Sequence, residues 1–219
     1  MTNDTRYRYR ITFTKDEEQR YTSHLDLHRA WGRLLRRAGL PGLYSKGFNP
    51  RQRIQLSTAL PLGCISEHEL ADIWLTKEIP CHEILERLQR STPPGTRILI
   101  VERAALNEPS LPSQIDAVSY LVQVEANQTE EDLSSAIHDL LLTEVLERER
   151  RGKTYDLRPL ILELEMSRGR MESPSIRMKL AAKEGATGRP EEVLLALDLD
   201  PSTTKIIRTH LHMVQANPL

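Results

Sequence analysis

Hydrophobic positions recur along the chain first at a period of two and then at a helical period, and the order of these stretches sets the expected fold. Tyr7, Tyr9, Ile11 and Phe13 alternate with Arg8, Arg10, Thr12 and Thr14, the pattern of a half-buried strand. After a polar excursion, Ser23-His-Leu-Asp26 reads as a variant capping box, with Ser23 at the N-cap and Asp26 three positions on. Leu27, Ala30, Trp31, Leu34, Leu35 and Ala38 then form one helical stripe, and Arg29, Arg33, Arg36 and Arg37 fall off it. Gly39 and Pro41-Gly42 close this helix. Residues 53–58 and 69–75 read as strands, Pro80 opens a helix with Ile84, Leu85 and Leu88 on one face, and residues 97–102 form an apolar strand. The order β-α-β-β-α-β is that of a ferredoxin-like unit.

The same order recurs beyond a Pro/Ser-containing connector at residues 107–114. Residues 119–125 read as a strand, and Thr129-Glu-Glu-Asp132 is a second capping signature. Residues 160–165 and 175–181 pair as strands, Pro190 opens a short helix, and residues 205–213 close as a strand. Arg148-Glu-Arg-Arg-Gly-Lys153 reads as a basic helix end, with Tyr155-Asp-Leu-Arg-Pro159 as a turn. The expected architecture is therefore α+β, with two tandem ferredoxin-like units over residues 1–106 and 115–219. Its topology is similar to that of the CRISPR RNA-processing endonucleases of the RAMP superfamily. Their glycine-rich loop has no counterpart around Gly185–Gly188, so their nuclease activity is not carried over.

Composition narrows the function. The 219 residues are 39% hydrophobic and 28% charged, ordinary for a globular protein. No apolar run reaches the roughly 18 residues of a membrane span, and Met1-Thr-Asn-Asp-Thr-Arg6 has no apolar leader core. Two cysteines, Cys64 and Cys81, are too few for a disulfide scaffold or a cysteine metal site. A cytoplasmic protein without membrane contact is the expectation.

The net charge of −1 hides a segregation. Residues 1–63 hold 12 Lys+Arg against 5 Asp+Glu, a balance of +7, and the remainder holds 18 against 26, a balance of −8. A basic block of this kind suits an anionic partner, or else the protein's own acidic half.

Catalytic templates are lacking. There is no Walker loop, no G-x-G-x-x-G after a strand, no H-E-x-x-H and no G-x-S-x-G. His24 and His28 share a helical face around Asp26, which makes His24 and Asp26 the candidates for acid–base chemistry, although capping is a sufficient and the favoured account of Asp26. No metal site is expected, since two histidines lack further local ligands.

Anion binding is the fuller reading. The first helix opens with unpaired amides that suit a phosphate beside Ser23 and His24. Downstream, Lys46-Gly-Phe-Asn-Pro-Arg-Gln-Arg53 mixes cations, an aromatic and an amide. Lys46, Arg51 and Arg53 would hold backbone phosphate, with Arg33, Arg36 and Arg37 as a flanking patch. Phe48, or Tyr44, would stack on a base, and Asn49 would contact a base edge or pin the loop. The competing account has Gly47 and Pro50 shaping a turn and Phe48 plugging the core. Tyr155, Asp156, Arg158 and Arg208 form a secondary set, in which Asp156 and Arg158 either pair or face a ligand.

Several of these segments carry a resemblance. Ser23-His-Leu-Asp26, Arg36-Arg-Ala-Gly-Leu-Pro41, Tyr44-Ser-Lys-Gly-Phe-Asn-Pro-Arg51 and Leu60-Pro-Leu-Gly63 resemble the bacterial DUF2344 family of radical-SAM-linked proteins. So do Tyr155-Asp-Leu-Arg-Pro159, Arg189-Pro-Glu-Glu192 and Ile207-Arg-Thr209. Gln52 stands where the family loop has a second proline. The resemblance implies a partner, a B12-binding radical SAM enzyme, and no cofactor held by this chain itself. The partner would carry an iron–sulfur cluster and S-adenosylmethionine, with cobalamin as a further candidate. Family members tend to be encoded near a ribonuclease and ribosomal proteins, which adds to the expectation of RNA, tRNA or rRNA, as the substrate bound. A processing enzyme using His24 and Asp26, and a protein-docking module, are the alternatives.

Overall fold

The computed structural model describes residues 6–124, 129–150, 152–168, 174–183 and 185–214. The chain divides into two compact units, residues 1–114 and 115–219. Both mix helices with antiparallel strands, the α+β class expected.

The first unit runs β1 (Tyr7–Lys15), α1 (His24–Arg37), β2 (Ile54–Leu56), β3 (Ile65–Leu75), α2 (Cys81–Ser91) and β4 (Ile98–Ala104). Its strands lie in the order β4-β1-β3-β2, each antiparallel to its neighbour. Ile11 sits at the centre, opposite Ala71 on one side and Val101 on the other. The apolar members of β1 and the stripe of α1 form one core: Tyr9, Ile11 and Phe13 are buried with Leu27, Trp31, Leu34 and Leu35. The Phe13 and Trp31 rings meet edge-on, with centroids 4.9 Å apart, a favoured aromatic geometry. Ile84 and Leu88 of α2 complete this cluster.

The polar face of β1 departs from expectation. Arg8, Arg10, Thr12 and Thr14 are buried too, so β1 is covered on both faces. The cause lies 62 and 64 residues away, in Asp72 of β3. Arg8 Nε donates to Asp72 Oδ2 at 2.9 Å, and Arg10 Nε donates to Asp72 Oδ1 at 2.9 Å. The 105–114 connector closes over the pair: Arg8 donates to the carbonyls of Glu108 (2.9 Å) and Pro109 (3.0 Å), and Arg10 Nη2 to the Glu108 carboxylate at 3.1 Å. Two of the cations counted in the basic block are thus neutralised inside this unit, and they present no charge to a partner.

The second unit runs β5 (Ile115–Gln123), α3 (Glu130–Leu142), β6 (Glu147–Arg150), β7 (Lys153–Asp156), β8 (Ile161–Arg168), β9 (Pro174–Lys183), β10 (Ala186–Thr187), α4 (Pro190–Ala196) and β11 (Lys205–Met213). Its main strands pair in the order β11-β5-β9-β8, again antiparallel, with the short β10 also on β9. Thr129 caps α3 as read from the sequence: its hydroxyl accepts from Asp132 N at 3.1 Å.

Of residues 148–153, expected as a helix end, Arg148–Arg150 and Lys153 belong instead to a separate hairpin of β6 and β7, and Arg151 lies outside the described residues. Helix α3 stops at Leu142, where Thr143 turns extended (φ −69°, ψ 127°). Gly152 at φ 73° then permits a tight reversal between Arg150 and Lys153. The segment's charges read as a helix end, but its path is set by that glycine.

Among the described residues, no helix is long and apolar enough to cross a membrane.

Candidate nucleic-acid interface

The flank of α1 and the loop that follows it enclose a groove of about 450 Å³. Helix α1 contributes Arg29, Arg33 and Arg36, and the loop contributes Tyr44, Arg51 and Gln52. Spacing explains the helical trio: positions i, i+4 and i+7 share one face, and burial of the apolar stripe turns that face outward. His28 and Leu25 line one end, where His28 Nε2 lies 3.2 Å from the Ile54 carbonyl oxygen. Among the described residues, no carboxylate lines the groove.

The loop is built to hold its place. Tyr44 and Gln52 bridge across it antiparallel. Ser45 N donates to Arg51 O at 2.8 Å, Arg51 N donates to Ser45 Oγ at 3.0 Å, and Arg53 N donates to Leu43 O at 2.7 Å. These bonds make residues 43–53 a hairpin-like arch with Lys46, Gly47, Phe48 and Asn49 at its tip. Phe48 is wholly exposed there, not in the core. Tyr44 is 45% exposed on the groove wall, an accessible aromatic face beside four guanidinium groups.

The structure distributes the sequence candidates unevenly. Arg33, Arg36 and Arg51 come together on the groove. Lys46, Phe48 and Asn49 lie at the loop tip outside the lining, and Arg37 is exposed in the last turn of α1. Arg53 stacks on Trp74, its guanidinium carbon 4.5 Å from the ring centroid.

At the start of α1, Ser23 Oγ accepts from Asp26 N at 3.1 Å and donates to Asp26 Oδ2 at 2.7 Å. Arg29 Nη1 donates to Asp26 Oδ1 at 3.1 Å. The Ser23 hydroxyl, and then Arg29, hold the Asp26 carboxyl below its ordinary range. A carboxylate thus already sits at the anion-favouring end of the helix, which moves the cationic surface from the N-terminus to the flank. His24 is exposed in the first turn.

In the second unit, the secondary candidates mostly serve the backbone. Asp156 Oδ1 accepts from Leu146 N (2.8 Å) and Arg158 N (3.0 Å), and Arg158 Nη2 donates to Leu141 O at 3.0 Å, near the end of α3. Tyr155 donates its hydroxyl to the Glu192 carboxylate. Burial, and then this bond, push the Tyr155 phenol up to about 12. Arg208 is buried with its guanidinium 3.5 Å from Tyr120 Oη.

Sequence reasoning passed over Arg29 and Gln52 as site residues. Arg29 could have been found, because Arg29, Arg33 and Arg36 already share helical spacing. Gln52 could not, because its placement depends on the loop folding back onto α1. Among the described residues, no group of three or more His, Cys, Asp or Glu could hold a metal ion. Cys64 is buried and Cys81 half-buried, both unbridged.

No curated protein matches the chain. The model of a family described as uncharacterised proteins conserved in bacteria, DUF2344, matches residues 8–190. That span runs from β1 to the first residue of α4 and takes in the whole groove, so this chain belongs to the DUF2344 family.

Proposed function

We propose that this protein is an RNA-binding accessory factor, in which the groove on α1 holds single-stranded RNA for a radical SAM enzyme acting in trans in the cytoplasm. The observation that carries the RNA reading is a groove with four arginines, an accessible tyrosine and no lining carboxylate among the described residues. Guanidinium forks suit phosphate, and an exposed aromatic suits an unstacked base. The order and pairing of strands in each unit support two ferredoxin-like units of RAMP-like topology, with the β6–β7 hairpin as an addition to the second.

The partner enzyme rests on the family resemblance. In this reading it brings the iron–sulfur cluster, S-adenosylmethionine and cobalamin, and this chain supplies substrate binding alone. Catalysis by His24 and Asp26 is the weaker alternative, because the Asp26 carboxylate is engaged by its helix cap and by Arg29.

The test is fluorescence-anisotropy binding of the full chain to tRNA and rRNA fragments across a salt series. With six or so phosphate contacts, affinity should fall about a thousandfold between roughly 50 and 200 mM salt. No binding at the lower salt would overturn the RNA reading.

A further inference from the structure

Gln52 is nine-tenths buried at the foot of the groove, and its Oε1 accepts no hydrogen bond from any described residue. A buried acceptor left unpaired loses the hydrogen bonds that water would give it, so an orphan of this kind calls for an explanation. Two glycines make room for it. A Cβ on Gly42 would lie 2.9 Å from Gln52 Nε2, and a Cβ on Gly32 would lie 3.3 Å from Gln52 Oε1.

Gly32 stands out because it occupies the middle of α1, where glycine is a poorer helix former than alanine. Its backbone does not require glycine, since no left-handed φ occurs there. Nor does it spare a neighbouring element from a clash with backbone: the atoms a methyl would meet are Gln52 Oε1 and, at 3.8 Å, Arg36 Nη1. What the missing methyl leaves is space beside the Gln52 amide, whose Oε1 is closed off from solvent in this conformation. The last torsion of a glutamine is broad, so a small turn of the amide brings Oε1 to a ligand seated over Gly32.

From this geometry we infer that the groove reads a nucleotide base as well as phosphate, with a base N–H donated to Gln52 Oε1 while the arginines hold the adjoining phosphate. This inference rests on the RNA reading above and names the chemical class that the site takes: a base-bearing strand, not a bare polyanion. The groove's 450 Å³ falls within the roughly 300–1,000 Å³ typical of small-ligand sites. Tyr44 on the wall offers the ring face against which the base would lie.

The experiment compares binding of a single-stranded ribo-oligonucleotide with an abasic ribose-phosphate oligomer of equal length, at fixed salt. It uses the full-length wild type, Gln52→Met and Gly32→Ala. The wild type should prefer the base-bearing strand by about tenfold or more. Each variant should lower that preference by about threefold or more, leaving the share that stacking on Tyr44 supplies, while holding the abasic oligomer as the wild type does. Gly32→Ala places a better helix former in α1, so it keeps the test sound if Gln52→Met lowers the melting temperature. Equal binding of both strands by the wild type, or variants that keep its preference, would overturn the base-reading inference and leave the groove as a polyanion site. Binding of neither strand would overturn the RNA reading as well.

Discussion

The guanidinium of Arg53 lies over the ring of Trp74, 4.5 Å from its centroid, and Arg8 approaches the same ring at 5.1 Å. An arginine that the sequence offers as a phosphate ligand is thus committed to an indole that is itself 6% exposed. Arg53 is itself exposed, and a guanidinium stacked on a ring at an exposed site contributes about 0.5–1 kcal/mol. Arg53→Ala should therefore lower stability by roughly that amount in urea denaturation and leave the salt dependence of RNA binding at its wild-type slope. A slope change as large as that of Arg51→Ala would show that Arg53 meets phosphate.

The buried cluster of Arg8, Arg10, Asp72 and Glu108 makes a second prediction. Burial works against ionisation of Glu108, but the Ala105 amide together with the charges of Arg10 and Arg8 holds its carboxyl below the ordinary range. Asp72 is fully buried and serves both arginines. Asp72→Ala would strand two desolvated cations, at a cost of about 3–5 kcal/mol. Urea denaturation should show a loss of unfolding free energy of that size, and a loss under about 1 kcal/mol would mean that water or Glu108 compensates.

Tyr155 supplies an alkaline signature. Its folded value, about 12 against an ordinary 10, means that the fold favours the protonated phenol. The stability from this group is fully present below pH 10 and is lost as pH rises through about 12. In a tyrosinate absorbance titration, Tyr155→Phe should remove the component that ionises near pH 12. If the variant removes a component near 10 instead, the Glu192 contact is not kept in solution.

At the other end of the pH scale, Asp26 has a folded value below its unfolded one. Its contribution is present above the ordinary carboxylate range and is lost as pH falls through the folded value. Ser23→Ala removes the first cause of that depression, so the Asp26 carboxyl should move back toward its ordinary value in an NMR titration. Losing a helix cap of this kind costs about 1 kcal/mol, read as a drop of a few degrees in Tm. An unmoved Asp26 would place the cause with Arg29.

Local signals were the legible ones. Ser23 and Asp26, the stripe of α1 and the alternation of β1 are all decided by neighbours within a few residues, and both capping signatures lie where they were read. What escaped depends on distant partners. Arg8 and Arg10 read as solvated because nothing near them announces Asp72. The β6–β7 hairpin was hidden because Arg148–Lys153 has the charge of a helix end, while Gly152 sets its path. At the candidate site, the arginines of α1 were legible from spacing. The roles of Gln52 and Gly32 were not, since they arise only where α1, the turn at Gly42 and the returning loop meet.

The central claim is that RNA phosphate lies along the flank of α1, and the salt slope of binding tests it most directly. In log–log form the slope falls by about 0.7–0.9 for each phosphate contact removed. Arg33→Ala combined with Arg51→Ala should make binding to a tRNA or rRNA fragment shallower in salt by about 1.5, with the melting temperature unchanged because both side chains are exposed. A double variant that binds RNA with the wild-type slope would contradict the account and place any RNA contact elsewhere on the chain.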